Sequence, residues 1–144
     1  LFPYTTLFRA EAVRRACAEL AGTLDTSADV PLESKMPSNI AAYLDHVLEP
    51  SPAYVLYARA ARSANADVRA VAIAMRRAIA AGVARNHLGT ETPAPAVEAA
   101  LIGFIAFAEA TAEQWRELDV RDRRGLEQLL AKTLVATVQA AVAV

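Results

Sequence analysis

A chain of 144 residues, 55% of them hydrophobic, has room for one domain with its own core, because a chain of this size buries roughly 70% of its unfolded surface. The formal charge of -1 and the sequence pI near 6.2 exclude the basic field that neutralising a run of phosphates requires, so these residues make a poor DNA-binding surface. Alanine supplies 34 positions against 5 Gly and 7 Pro, and no long stretch alternates apolar and polar residues. The pattern predicts an all-α fold.

The opening residues, Leu1 to Arg9, match nothing that follows in composition. They resemble a translated adapter or cloning scar, so residues 1–9 are set aside as non-native and residues 10–144 are read as one helical domain; the competing reading keeps Leu7, Phe8 and Arg9 as the native start of the first helix. A first helix is expected from about Ala10 to Leu24, with Val13, Cys17, Leu20 and Leu24 on one face. The lone Cys17 rules out an internal disulfide and any cysteine-based metal site, suits a reducing cytoplasm, and reads as a small core residue. A polar loop from Asp25 to Pro37 follows.

Ser38 is the expected cap of a second helix carrying Ile40, Tyr43, Leu44 and Val47 as far as Glu49 and Pro50. Ser51 then caps a third, with Pro52 in its first turn, where a missing N–H is harmless. Asn65 and Asp67 open a fourth, with Val68, Val71, Met75, Ile79 and Val83 inward, Arg69, Arg76, Arg77 and Arg85 outward, His87 near its end and Gly89 as its stop. Thr92, Pro93 and Pro95 signal a fifth helix to about Leu118, striped by Val97, Leu101, Phe104, Ile105, Ala108, Ala112 and Trp115. Asp122 caps a sixth, striped by Leu126, Leu129, Leu130, Thr133, Leu134, Thr137, Val138 and Ala141. The longest uncharged run, Thr133 to Val144, is well short of the roughly 20 apolar residues of a membrane span, and none is expected.

The last two helices are apolar on more than one side. Ile102, Ala106 and Phe107 give the fifth a second apolar flank, and Ala131, Val135 and Val142 do the same for the sixth. Helices apolar over most of their girth need cover on most sides, and a second copy of the chain, joined through both helices, supplies it. The interface candidates are Leu101, Ile105, Ala112, Trp115, Leu126, Leu130, Thr133, Leu134 and Thr137. Two central helices in a monomeric bundle are the alternative.

Four stretches, in this order, carry a family resemblance: Tyr43–Tyr54 (YLDHVLEPSPAY), Ala64–Ala72 (ANADVRAVA), Leu101–Trp115 (LIGFIAFAEATAEQW) and Arg123–Leu134 (RRGLEQLLAKTL). Together they resemble the C-terminal regulatory domain of TetR-type transcriptional repressors. The resemblance implies a six-helix bundle, a homodimer joined through the last two helices, a ligand cavity in each subunit and a cytoplasmic location. DNA is then contacted only by an N-terminal helix-turn-helix, for which there is no room ahead of Ala10. That missing head is the large departure from the family pattern; a slight one lies in the last helix, where Gly125 occupies the position at which Glu would complete a capping box with Asp122.

An effector cavity of this kind is mostly apolar with a few polar handles. The candidates are Tyr43, His46, Tyr54, Tyr57, Met75, Ile79, Phe104, Phe107 and Thr111, and the expected effector is small and apolar or amphipathic. Filling a dry core is the competing role for each. No Gly-rich phosphate loop, nucleophile motif or zinc-helix spacing is present, so neither catalysis nor a metal or cofactor is expected. His46 has Asp45 as its neighbour, but adjacent helical residues do not face one another. A helical adapter that binds a partner protein is the alternative function.

Overall fold

The computed structural model describes residues 2–24 and 32–144, and those residues form six helices: α1 (Phe2–Gly22), α2 (Leu32–Leu48), α3 (Pro52–Ala61), α4 (Ala66–His87), α5 (Pro95–Glu117) and α6 (Arg123–Val142). No strand occurs among them. The helix starts follow local chemistry. Ser51 accepts from the Tyr54 N–H ahead of Pro52, Asn65 accepts from the Asp67 and Val68 N–H groups, and Asp122 accepts from that of Gly125. Each bond satisfies a donor that the first helical turn leaves without an intrahelical partner.

The ends are equally local. Beyond α4, Gly89 takes a positive φ of 66°, the left-handed geometry that glycine adopts without steric cost, and Thr90 N–H turns back to the Ala84 carbonyl. Beyond α5 the same geometry falls on Asp119, with φ of 50°. The Asp119 and Val120 N–H groups close onto the Arg116 and Trp115 carbonyls at 3.0 Å each, the paired bonds of a Schellman end.

Two boundaries differ from the sequence expectation. Helix α1 begins at Phe2 instead of near Ala10, because nothing after Pro3 breaks a helix and a proline in the first turn removes no bond. Its Leu7 and Phe8 are exposed. Helix α2 begins at Leu32 instead of Ser38. Pro37 therefore lies inside the helix, where its absent N–H forfeits one bond, and the added turns bury Lys35 and pack Met36 on the core. The remainder of the expected loop, residues 25–31, lies outside the described residues, as does the His87 side chain.

Packing sorts the helices into two groups that meet where α4 lies on α5. Helix α1 lies on α3 and α4, and α3 on α4, while α2 rests against α5 and α6, and α5 pairs with both α6 and α4. The larger core gathers Val13 and Leu20 of α1, Leu44 and Val47 of α2, Tyr54 and Tyr57 of α3, Ala72 of α4, Ala108 and Ala112 of α5, and Leu126 and Leu130 of α6. A smaller one joins Ala80 and Ala84 of α4 to Val97 and Leu101 of α5, with Leu134 and Val138 of α6 against them. Cys17 is a free thiol buried in the larger core, and burial pushes its pKa up.

Helix α5 is, by length and composition alone, apolar enough to cross a membrane, with a mean hydropathy of 1.4 over its best window. Uncharged runs in the sequence do not disclose it because Glu109 interrupts the stretch. That glutamate is tied to α3 and α4, and its helix packs on α2, α4 and α6.

Candidate functional site

The site begins with a register between α3 and α5. Tyr54 and Tyr57 are three residues apart and share one face of α3; Glu109 and Glu113 are four apart and share one face of α5. The two pairs meet rung to rung. The Tyr57 hydroxyl donates to Glu109 Oε1 and the Tyr54 hydroxyl to Glu113 Oε1, the latter at 3.0 Å. An arginine closes each rung. Arg76 of α4 donates from Nε to Glu109 Oε1 at 3.2 Å and to the Tyr57 hydroxyl at 3.0 Å, and from its terminal nitrogen to Glu109 Oε2. Arg62, just beyond α3, pairs with Glu113.

The inner rung is buried, whereas the outer one is part-buried and ends on the exposed Arg62. Glu109 keeps 8% of its surface exposed, and burying a carboxylate without a partner is prohibitive. Arg76 and Tyr57 together supply that partner. The Arg76 pKa is driven further up by its hydrogen bond to Glu109, against the opposing effect of burial. Burial, with Glu109 alongside, raises the Tyr57 pKa, and burial with Glu113 alongside raises that of Tyr54. Tyr43 is raised as well, chiefly by burial. All three phenols stay protonated well into the alkaline range.

In front of this ladder is a cavity of about 130 Å³, walled by Leu20 from the last turn of α1 with Thr23 and Leu24 just beyond it, Tyr43 and His46 from α2, Tyr54 and Tyr57 from α3, Met75 and Ile79 from α4, and Phe104, Ile105, Ala108 and Glu109 from α5. Five helices therefore contribute. The rings of Tyr43 and Tyr54 meet edge to face at 6.4 Å and 74°, and those of Tyr54 and Tyr57 lie 6.2 Å apart at 54°. Both separations are typical of aromatic pairs. The polar atoms of the wall are mostly engaged elsewhere: His46 Nδ1 lies 2.8 Å from Ser51 Oγ, the hydroxyl that also caps α3. The Tyr43 hydroxyl differs. It is buried without a hydrogen bond of good geometry, although the Tyr54 hydroxyl is near enough to influence its titration.

Of the nine pocket candidates, seven stand in this one wall: Tyr43, His46, Tyr54, Tyr57, Met75, Ile79 and Phe104. Phe107 and Thr111 do not. The face that α5 turns to the cavity lies between Phe104, Ile105, Ala108 and Glu109, and at about 100° per residue Thr111 sits roughly a quarter-turn away and Phe107 farther round. Phe107 is instead exposed, its ring 6.4 Å from that of Phe104.

Glu109 and Arg76 were not anticipated. Arg76 reads in sequence as one of several outward-facing arginines of its helix, and Glu109 stands outside the apolar stripe of α5. The available signal was a lone carboxylate within an otherwise uncharged run from Ala99 to Thr111. Arg123 is a similar case. It joins α6 to α2 through Asp45 Oδ1 at 2.7 Å and the Ala41 carbonyl at 3.0 Å.

Within the single subunit the nine seam candidates differ in burial. Leu101, Ala112, Leu126 and Leu130 are buried inside the subunit, Ile105 is in the cavity wall, and Trp115 and Leu134 pack against the two cores. Thr133 and Thr137 are half-buried. The strongest apolar stripe of each helix faces its own subunit, where most apolar surface is available to cover it. On α5 the outward stripe is Ala99, Gly103, Ala106, Phe107 and Ala110; on α6 it includes Leu129, Val135, Ala136 and Ala140.

Among the described residues no group of three or more His, Cys, Asp or Glu side chains is placed to hold a metal ion. The model of one family, tetracyclin repressor-like, C-terminal domain, matches residues 32–138. No curated protein and no solved structure matches the chain.

Proposed function

The chain belongs to the tetracyclin repressor-like C-terminal domain family, and from that membership together with the cavity we propose that it is the effector-sensing and self-associating part of a TetR-type transcriptional repressor acting in the cytoplasm. The observation that carries this reading is a cavity shared by five helices in which the last turn of α1, through Leu20, and the two residues that follow the helix, Thr23 and Leu24, form part of the wall. A ligand seated there touches α1 directly. In a regulator of this architecture, α1 connects the sensor to a helix-turn-helix domain, and DNA contact belongs to that domain. An occupant that favours one setting of α1 over another shifts the spacing of the two DNA-reading heads by as much as it binds one setting better. The chain's role is regulatory and not catalytic.

Dimerisation completes the device. The outward stripes of α5 and α6 combine small residues, Gly103, Ala106, Ala110, Ala136 and Ala140, with larger apolar ones, Phe107, Leu129 and Val135. Small residues let helices approach closely, and the larger ones supply area to bury, which suits a four-helix seam between two copies. Sedimentation of the purified chain tests the assembly: a dimer at micromolar concentration is expected, and Phe107→Glu, which changes no buried residue, should leave a folded monomer. A folded wild-type monomer would remove the seam. A heterologous protein held on the same face would favour the adapter reading in its place.

A further inference from the structure

Resting on the reading of the cavity as an effector site, we propose that the effector is an uncharged compound about one aromatic ring in size. Volume is the first argument. A cavity of about 130 Å³ is close to the roughly 150 Å³ at which an apolar protein cavity stays dry and takes up benzene. An extended acyl chain or a fused multi-ring compound exceeds that volume.

Charge is the second argument. The one carboxylate among the described residues of the wall, Glu109, has both oxygens engaged by Arg76 and Tyr57. A cationic ligand would therefore have to displace Arg76, and an anionic one would meet the carboxylate with no Lys or Arg among the described residues that line the wall. His46, the one imidazole among the described residues of the wall, has its Nδ1 2.8 Å from Ser51 Oγ, so neither charge meets a free, permanently charged partner, and burying it costs more than one ring can offset.

The character of the wall is the third. Four of its members are aromatic, Tyr43, Tyr54, Tyr57 and Phe104, and Met75 adds a polarizable sulfur. Ring edges and faces set at mixed angles accept a further ring in edge-to-face or offset contact, and a thioether favours the same partner. The Tyr54 and Tyr57 hydroxyls are tied back to Glu113 and Glu109, so these two tyrosines offer a ligand their carbon surface.

Fluorobenzene is the direct probe, because its ¹⁹F resonance reports binding to the full chain without an assay of regulation. Saturable broadening is expected, reversed by toluene, with a rise in the thermal midpoint. Benzoate and benzylammonium, the same ring bearing either charge, should compete at least about tenfold more weakly, and dodecanol should not compete at all. Ala108→Leu, which adds bulk at the wall, should abolish binding. Should that variant fail to fold, Met75→Leu, which conserves volume and removes the sulfur, should weaken fluorobenzene binding and retain it.

Two adverse results separate cleanly. If benzoate, benzylammonium or dodecanol binds in a manner lost in Ala108→Leu while fluorobenzene does not, the ligand class is wrong and the effector site stands. If none of these compounds binds, or binding ignores every substitution in the wall, the cavity is a packing void and the effector-site reading falls with the proposal.

Discussion

The two ends of α5 serve the same bundle by different means. Toward its C-terminal end, Ala108, Glu109 and Ala112 face a core of aromatic rings crossed by directional bonds from Tyr57 and Arg76. Toward its N-terminal end, Val97 and Leu101 face Ala80, Ala84, Leu134 and Val138, where contact is aliphatic and without direction. The first arrangement leaves a cavity and the second does not need one. Polar ties hold helices at a fixed distance even where the space between them is unfilled, whereas an aliphatic contact closes on whatever is there. The ladder therefore fixes the shape of the candidate effector site, and the smaller core fixes the pairing of α4, α5 and α6 behind it.

The largest expected effect comes from cutting the ladder. Glu109→Ala leaves the Arg76 guanidinium and the Tyr57 hydroxyl without their partner, and breaking a buried pair from one side costs about 4 kcal/mol. Replacing all three members together, with Glu109→Leu, Arg76→Met and Tyr57→Phe, should cost much less, because no stranded charge remains. Denaturant unfolding of both variants makes the comparison. A triple variant as unstable as the single one would mean that the ladder contributes net stability and not position alone.

In the aliphatic region the corresponding cut is Leu101→Ala, which removes a side chain 2% exposed. The expected loss is about 3 kcal/mol, from lost transfer energy and the cavity left behind. It should leave ligand uptake intact, since Leu101 is outside the cavity wall. Glu109→Ala should not.

Alkaline pH discriminates between the same two regions. Tyr43, Tyr54 and Tyr57 all have pKa values raised by folding, against an ordinary value of about 10. Below about pH 10 they are protonated whether the chain is folded or not, and stability does not respond. Above it the unfolded chain releases protons that the folded one keeps, so stability falls as pH rises, by about 1.4 kcal/mol per pH unit for each such tyrosine. Tyr57→Phe should therefore reduce the slope of unfolding free energy above pH 10 by about that amount, and Leu101→Ala should leave the slope unchanged. An unaltered slope in Tyr57→Phe would show that this phenol ionises freely in the folded chain.

These contrasts follow what the sequence discloses. The starts of α3, α4 and α6 were legible because Ser51, Asn65 and Asp122 act on the backbone next to them, and no distant residue is needed. The family resemblance, with residue type on facing helices, also brought Tyr43, His46, Tyr54, Tyr57, Met75, Ile79 and Phe104 into one set, together with Phe107 and Thr111, which the cavity wall leaves out; periodicity had a narrower reach. It could not say which stripe of α5 or α6 faces inward, since both helices are apolar on two sides, and the seam was assigned to residues such as Leu101 and Leu126 that the subunit buries itself. Nor could it pair Glu109 with Arg76, which are 33 positions apart. A charge looks solvated in sequence until a partner from another helix is known.

Gly125 is where local chemistry can be weighed most closely, and the expected net effect there is near zero. It stands where Glu would complete a capping box, but a Cβ at this position would lie 2.8 Å from Asp122 Cγ. The carboxylate that accepts the Gly125 N–H at 2.8 Å would have to rotate away. Gly125→Ala thus gains about 1 kcal/mol of helix propensity and loses a cap of about the same size. The two are separable in a double-mutant cycle. Asp122→Ala should cost about 1 kcal/mol in the wild-type background and almost nothing in the Gly125→Ala background, because there the cap has already gone. If Asp122→Ala costs the same in both backgrounds, the carboxylate accommodates the methyl group, and the glycine is not required by the cap it faces.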